Sequence, residues 1–180
     1  TILGNIRYKW HLKYDIPDTE VITVATHDTA SAVLGSIVDG KNWAFLSSGT
    51  WSLLGAELNT PENGSAAFAD NYTNEWGAYG TYRFLKNIMG LWICQRVKHE
   101  YHDQYSFAEL AQLAAEEEPF QQFIDVNDKR FENPTSMIAE LQDYCRETNQ
   151  VIPKTPSQIM MAIYSNLSLF YANELSKLSH

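Results

Sequence analysis

Residues 21–54, VITVATHDTASAVLGSIVDGKNWAFLSSGTWSLL, constrain the fold more than any other stretch. The β-branched run over 21–26 is a strand pattern, and it delivers His27 and Asp28 to the point where Ala30, Val33, Leu34 and Ile37 take up helical spacing. A strand tip feeding a helix is where α/β folds expose functional groups, so Asp28 is the first candidate for chemistry. Its bland role is a helix N-cap, a position Asp favours. His27 reads equally as a core histidine and Thr29 as an ordinary first-turn residue. Together the three place a titratable ring, a carboxylate and a hydroxyl side by side, a set suited to a polyol. After the Asp39-Gly40 turn a second apolar run, 43–46, ends in Ser47-Ser48-Gly49-Thr50, and 51–54 continues extended. Small hydroxyl residues around a glycine let backbone approach a phosphate and supply donors without bulk. The same turn also reads as a plain serine-rich hairpin, since it lacks the lysine of a Walker loop. One acid and one phosphate cradle point to phosphoryl transfer.

A chain of 180 residues with 44% hydrophobic content holds one sizeable core, so a single domain is expected. The net charge of −9, with only 13 scattered Lys and Arg, argues against a nucleic-acid surface, which needs clustered cations. Cys94 and Cys145 lack metal-ligand spacing and fit reduced thiols in a cytoplasmic protein better than a disulfide. No apolar run approaches the roughly 20 residues of a bilayer span, and the opening Thr1-Ile2-Leu3-Gly4 has no basic-then-apolar signal. The first residue is not Met, which suggests a piece of a longer protein.

Residues 1–20 read as a lead-in whose Tyr8, Trp10 and Tyr14 pack on the first strand, with a break at Pro17-Asp18. Residues 58–74 read as a polar loop, followed by a ribbon over 75–84 with turns at Gly77 and Gly80. The apolar residues Ile88, Met89, Leu91, Trp92, Ile93, Val97 and Tyr101 predict one buried helix over 87–101. Helices are also predicted over 106–118 and 134–146. In the irregular stretch between them, Asp125, Asn127 and Asp128 lack the glycine and glutamate of a calcium loop. The last helix is announced by a capping box, Thr155-Pro156-Ser157-Gln158, and its stripe of Met160, Ile163, Leu167, Phe170, Tyr171, Leu175 and Leu178 reads as core.

Three motifs, THDTASAV, LSSGTWSL and LKNIMGLWICQRV, resemble those of the FGGY family of carbohydrate kinases, in its rhamnulose-phosphorylating branch, and IDVNDKRFENPTSM is also family-like. The resemblance spans most of the chain. It implies an α/β, ribonuclease H-like (actin-like ATPase) domain with additional helices, using ATP and Mg²⁺ to phosphorylate L-rhamnulose on its 1-hydroxyl. Asp28 is then the catalytic base, with His27, Asp28, Thr29 and Asn87 on the ketose, and Thr50 and Gln95 facing ATP. The protein ligands of the metal stay unassigned. On the predicted helix Asn87 and Gln95 would lie about 80° apart in rotation and about 12 Å along the axis, so one side of it would meet both ligands.

Kinases of this family have two actin-like domains facing across a cleft, and residues 1–180 match part of the second. The first domain with its acidic-glycine phosphate loop, and the glycine-rich turn that holds adenosine, do not fall within this sequence. The expectation is therefore a truncated second domain, missing its N-terminal partner and inactive in isolation. Rival readings are a xylulose or fuculose kinase of the same family, a non-catalytic actin-like nucleotide-binding module, and a hydrolase pairing Asp28 with Glu75 across one cleft.

Overall fold

Seven α-helices and two antiparallel sheets make up the residues that the computed structural model describes, namely 2–23, 27–36, 38, 40 and 42–178. The first sheet is a small ribbon in which β1 (Ile2–Asn5) pairs with β2 (Glu20–Ile22). Between them α1 (Tyr8–Tyr14) buries none of its residues. Trp10 stacks on Tyr14 with ring centroids 5.6 Å apart, and Lys13 lies over both rings. Tyr8 likewise stacks on His11, and all three lead-in aromatics are exposed rather than packed away. The predicted strand over 21–26 is seen as β2, and residues 24–26 lie outside the described set. In α2 (Asp28–Gly35), Thr29, Ala30 and Val33 are buried while Leu34 is exposed; Ile37 is not among the described residues.

The second sheet has four strands, in the order β3 (Phe45–Ser48), β4 (Ser52–Leu58), β6 (Tyr82–Ile88) and β5 (Thr73–Trp76). β3 (Phe45–Ser48) and β4 (Ser52–Leu58) form the expected hairpin, with Ser47 and Ser48 inside the strand and the turn at residues 49–51. The predicted loop over 58–74 contains a short helix, α3 (Ser65–Ala69). β5 (Thr73–Trp76) and β6 (Tyr82–Ile88) form the predicted ribbon, closed by Gly77 N–H donating to Thr81 O at 2.9 Å. Directly paired residues share a face of a sheet, so the register sorts the side chains. Ser52, Leu54 and Ala56 share one face with Ile88, Lys86 and Phe84, whereas Ser47, Leu53 and Asn87 line up on the other. Gly55 has no side chain because the strands leave no room: a Cβ there would stand 2.2 Å from Phe84 O.

The single helix predicted over 87–101 is corrected. Asn87 lies in β6, which ends at Ile88; the chain turns through residues 89–91, and only then does α4 (Trp92–Glu100) begin. Gly90 makes the break, with φ at +50°, a conformation that a β-carbon disfavours. Nor is α4 apolar all round. Ile93, Cys94 and Val97 are buried on one side while His99 is exposed.

α5 (Phe107–Ala114) starts on a capping box between Ser106 and Glu109, and α6 (Met137–Glu147) starts on the Ser136 hydroxyl. The Glu100 carboxylate at the end of α4 adds to that second cap by accepting from Ser136 Oγ at 2.7 Å and from the amides of Met137 and Ile138. α7 (Pro156–Leu178) opens on the predicted box: Gln158 N–H donates to Thr155 Oγ1 at 3.2 Å, and Thr155 N–H donates to Gln158 Oε1 at 3.4 Å. Ile159, Met160 and Ile163 of α7 meet Ile88, Ile93, Val97, Leu110, Phe131, Met137 and Leu141 in one core. Of the predicted stripe, Leu175 is exposed. α7 also crosses the first face of the sheet through two polar contacts. Tyr171 meets Ser52, and the buried Glu174 accepts from Lys86 Nζ at 3.2 Å.

The stretch between α5 and α6 is tied to the core by Asn127 and shaped locally by Asp125 and Asp128. Asn127 Oδ1 accepts from Met89 N–H at 3.0 Å, Asp125 Oδ1 from Asn127 N–H at 2.9 Å, and Asp128 Oδ1 from Arg130 N–H at 3.0 Å. Both cysteines are free and buried, and burial pushes the Cys94 thiol up to about 12. Among the described residues no helix is long and apolar enough to cross a membrane.

Candidate active site

The predicted acid is the first helical residue of α2, and His27 takes the N-cap position with extended backbone. One oxygen of the Asp28 carboxylate, Oδ1, is anchored locally: it accepts from the Thr29 N–H at 2.7 Å and lies 3.2 Å from His27 Nδ1. A carboxylate in the first turn also suits the positive end of the helix. The other oxygen, Oδ2, has no partner among the described residues, and the side chain is 96% exposed. Local structure therefore fixes the direction of the carboxylate and leaves half of it open.

The turn at residues 49–51 is built from its contact with α4. Gly49 C=O accepts from Leu91 N–H at 3.0 Å, and Thr50 C=O accepts from Trp92 N–H at 2.9 Å. Two of the amides that a helix start leaves without intrahelical partners are thereby satisfied by the hairpin. In a trans peptide the carbonyl of one residue and the amide of the next point in opposite directions. With the Gly49 and Thr50 carbonyls turned toward α4, the Thr50 and Trp51 amides turn away from it. Neither amide finds an acceptor among the described residues, nor do the hydroxyls of Ser47 and Ser48. Successive outward amides of this kind form an anion-binding concavity.

Thr50 and Gln95, 45 positions apart, are in contact. Gln95 Nε2 donates to Thr50 Oγ1 at 3.1 Å, and Thr50 Oγ1 lies 3.3 Å from Gln95 Oε1. Asn87 reaches the same end of the sheet by a different route. It pairs with Leu53, which pairs with Ser47, so Asn87 lies two strands from Ser47, about 10 Å at ordinary strand spacing. Its side chain is exposed and has no partner among the described residues. No hydrogen bond or ion pair joins His27, Asp28 or Thr29 to Thr50, Asn87 or Gln95. Glu75, the alternative second acid, is engaged elsewhere: its Oε2 accepts from the buried Arg83 at 2.6 Å.

Sequence reasoning missed the supports of the turn. At Gly90 an added Cβ would lie 2.5 Å from Ser52 Oγ, 2.7 Å from Ser52 N and 3.0 Å from Gly49 O, so only glycine lets the two turns nest. The available signal was a glycine inside an apolar run, a punctuation mark that often reports close backbone approach. Tyr171, 119 positions from Ser52, carried no local signal at all.

The sequence pattern described as the C-terminal domain of the FGGY family of carbohydrate kinases matches residues 44–179. The chain belongs to this FGGY family. Its mixed α/β architecture is consistent with the ribonuclease H-like, actin-like fold expected of an FGGY kinase domain. A protein named rhamnulokinase from Lactiplantibacillus plantarum is 72% identical over 178 residues, covering 99% of this chain and 36% of that protein. Proteins of the same name from Ligilactobacillus salivarius and Bacillus subtilis are 68% and 52% identical, over 99% and 98% of this chain and 37% and 36% of theirs. The chain thus spans little more than a third of the length of the FGGY relatives it matches.

Proposed function

We propose that this chain forms part of the second actin-like domain of a ketose kinase that transfers the γ-phosphoryl group of MgATP to the 1-hydroxyl of L-rhamnulose, giving L-rhamnulose 1-phosphate. The observation that carries the reading is Asp28, whose carboxylate is oriented through one oxygen and open at the other. That arrangement suits a general base, which must be held in direction yet free to accept a proton. His27, Thr29 and Asn87 bind the ketose in this reading, and the names of the relatives select rhamnulose among ketoses.

The other half of the chemistry is positioning. Phosphoryl transfer passes through a loose transition state and asks mainly for alignment and charge stabilisation. The outward amides of Thr50 and Trp51, with the nearby hydroxyls, supply donors to phosphate oxygens, and the Thr50–Gln95 pair sits on the nucleotide side. Magnesium arrives with ATP as part of the substrate. Among the described residues no group of three or more His, Cys, Asp or Glu side chains is arranged to hold a metal alone. The buried free thiols and the use of MgATP fit a cytoplasmic setting.

The test is a ketose panel on a polypeptide of the relatives' full length, reading ketose-dependent ADP release. Rhamnulose as the preferred acceptor supports the reading. Preference for xylulose or fuculose would transfer it to a sister kinase, and nucleotide binding without phosphorylation of any ketose would leave a non-catalytic module. In the same polypeptide Thr50→Val is expected to raise the KM for ATP about ten- to a hundredfold, the loss of roughly one hydrogen bond to a charged group. The KM for the ketose should stay within twofold, and an effect confined to the sugar would contradict the assignment of Thr50.

A further inference from the structure

The phosphate-side turn is gripped from two directions, and contact with α4 is only one of them. The other is α7: Ser52, the first residue of β4 and 0% exposed, meets the Tyr171 hydroxyl at 2.7 Å. Ser52 pairs with Ser48 across the neck of the hairpin, so it is the hinge point from which residues 49–51 project. The backbone of Gly90 fills the space beside it, within a β-carbon's reach of both Ser52 N and Ser52 Oγ. Ser52 is thus clamped between a glycine backbone and a tyrosine hydroxyl.

We propose that Tyr171 is a positioning residue for the nucleotide phosphates: acting through Ser52, its hydroxyl sets the tilt of the turn and hence the direction of the Thr50 and Trp51 amides. The inference rests on the reading of this turn as the phosphate-binding element. Its physical basis is the angular dependence of hydrogen bonds, which weaken steeply as the donor swings off line. The carbonyl contacts with α4 turn the amides outward, and the Ser48–Ser52 pair is the other joint of the turn, so rocking of Ser52 tilts those amides off line. Tyr171 comes from a 23-residue helix packed in the core, so it gives Ser52 a fixed reference that the short hairpin lacks.

Steady-state kinetics on a polypeptide of the relatives' full length tests this with Tyr171→Phe, Ser52→Ala, the double variant, and Thr50→Val as a control. Tyr171→Phe keeps the ring and removes only the hydroxyl. It is expected to raise the KM for ATP about fivefold, the worth of one neutral hydrogen bond, and to leave the KM for the ketose within twofold. Ser52→Ala should do the same, and the double variant should be no worse than either single one, since both remove one interaction. Three results would overturn the proposal: an unchanged KM for ATP in Tyr171→Phe when Thr50→Val raises it, an equal rise in both KM values, or multiplicative effects in the double variant. If Thr50→Val itself leaves the KM for ATP unchanged, the phosphate reading of the turn fails and the role of Tyr171 falls with it. Thermal midpoints of the variants serve as a check, because a purely structural effect would lower them and raise both KM values together.

Discussion

With Asp28→Asn, a polypeptide of the relatives' full length should still bind MgATP but phosphorylate rhamnulose about 10²- to 10⁴-fold more slowly, the usual span for loss of a general base. Asparagine retains an oxygen that can accept from the Thr29 N–H, so the start of α2 should survive the change. What disappears is the open oxygen's capacity to take the sugar's proton. The loss should therefore fall on kcat and on kcat/KM together, with the affinity for nucleotide unchanged by calorimetry. A variant within tenfold of the parent would end the assignment of Asp28 as the base and return it to its bland role at a helix start.

The second large effect is on stability and lies on the opposite face of the sheet. Lys86→Met should lower the thermal midpoint of the chain by about 6–12 °C, equivalent to roughly 3 kcal/mol for a domain of this size. Lys86 and Glu174 have side chains only 12% and 2% exposed, so the pair is desolvated, and removing the cation leaves a buried carboxylate short of compensation. The expected cost sits at the low end for such pairs because Glu174 also receives the Tyr72 hydroxyl at 2.9 Å and Lys177 Nζ at 3.1 Å. Burial alone would raise the Glu174 carboxyl, but hydrogen bonds from Lys177, Tyr72 and Lys86 outweigh it and hold the group below its usual range. A carboxyl lowered in the folded state stabilises fully above its unfolded pKa and loses that contribution as the pH falls through the folded one. The gap between parent and Lys86→Met should accordingly be full at neutral pH and narrow on acidification through the carboxylate range. Thermal unfolding followed by circular dichroism across that range decides the matter: a shift below 2 °C, or a gap independent of pH, would show that Lys86 does not stabilise the Glu174 carboxylate.

Local chemistry made some elements legible in advance. The capping box at Thr155 and Gln158 and the hairpin around Gly49 carry their signals within a few residues, and both formed where they were read. The run around Ile88 and Trp92 misled because a buried strand end, a tight turn and a helix start are all apolar, and periodicity cannot separate them. Its glycine was the only mark of the boundary. Motif resemblance named Thr50 and Gln95 together, but neither their contact nor the direction of the turn amides was legible in it. That direction follows from carbonyl contacts with α4, which exist only once strand and helix are in register. Lys86 with Glu174 and Ser52 with Tyr171 are separated by 88 and 119 positions, distances at which no local pattern operates.

The exposure of Asp28 has a bearing on fuel economy. If Asp28 is the base proposed above, it stands in bulk solvent among an acceptor far more abundant than any sugar, and a phosphoryl donor delivered to it in that condition would be wasted on water. The ratio of sugar phosphate made to ATP consumed is therefore not a property of Asp28 itself. It belongs to whatever surface excludes solvent once the ketose is seated, and to the order in which seating and exclusion occur. On this view the rate at which a polypeptide of the relatives' full length consumes ATP without sugar reports the tightness of that cover.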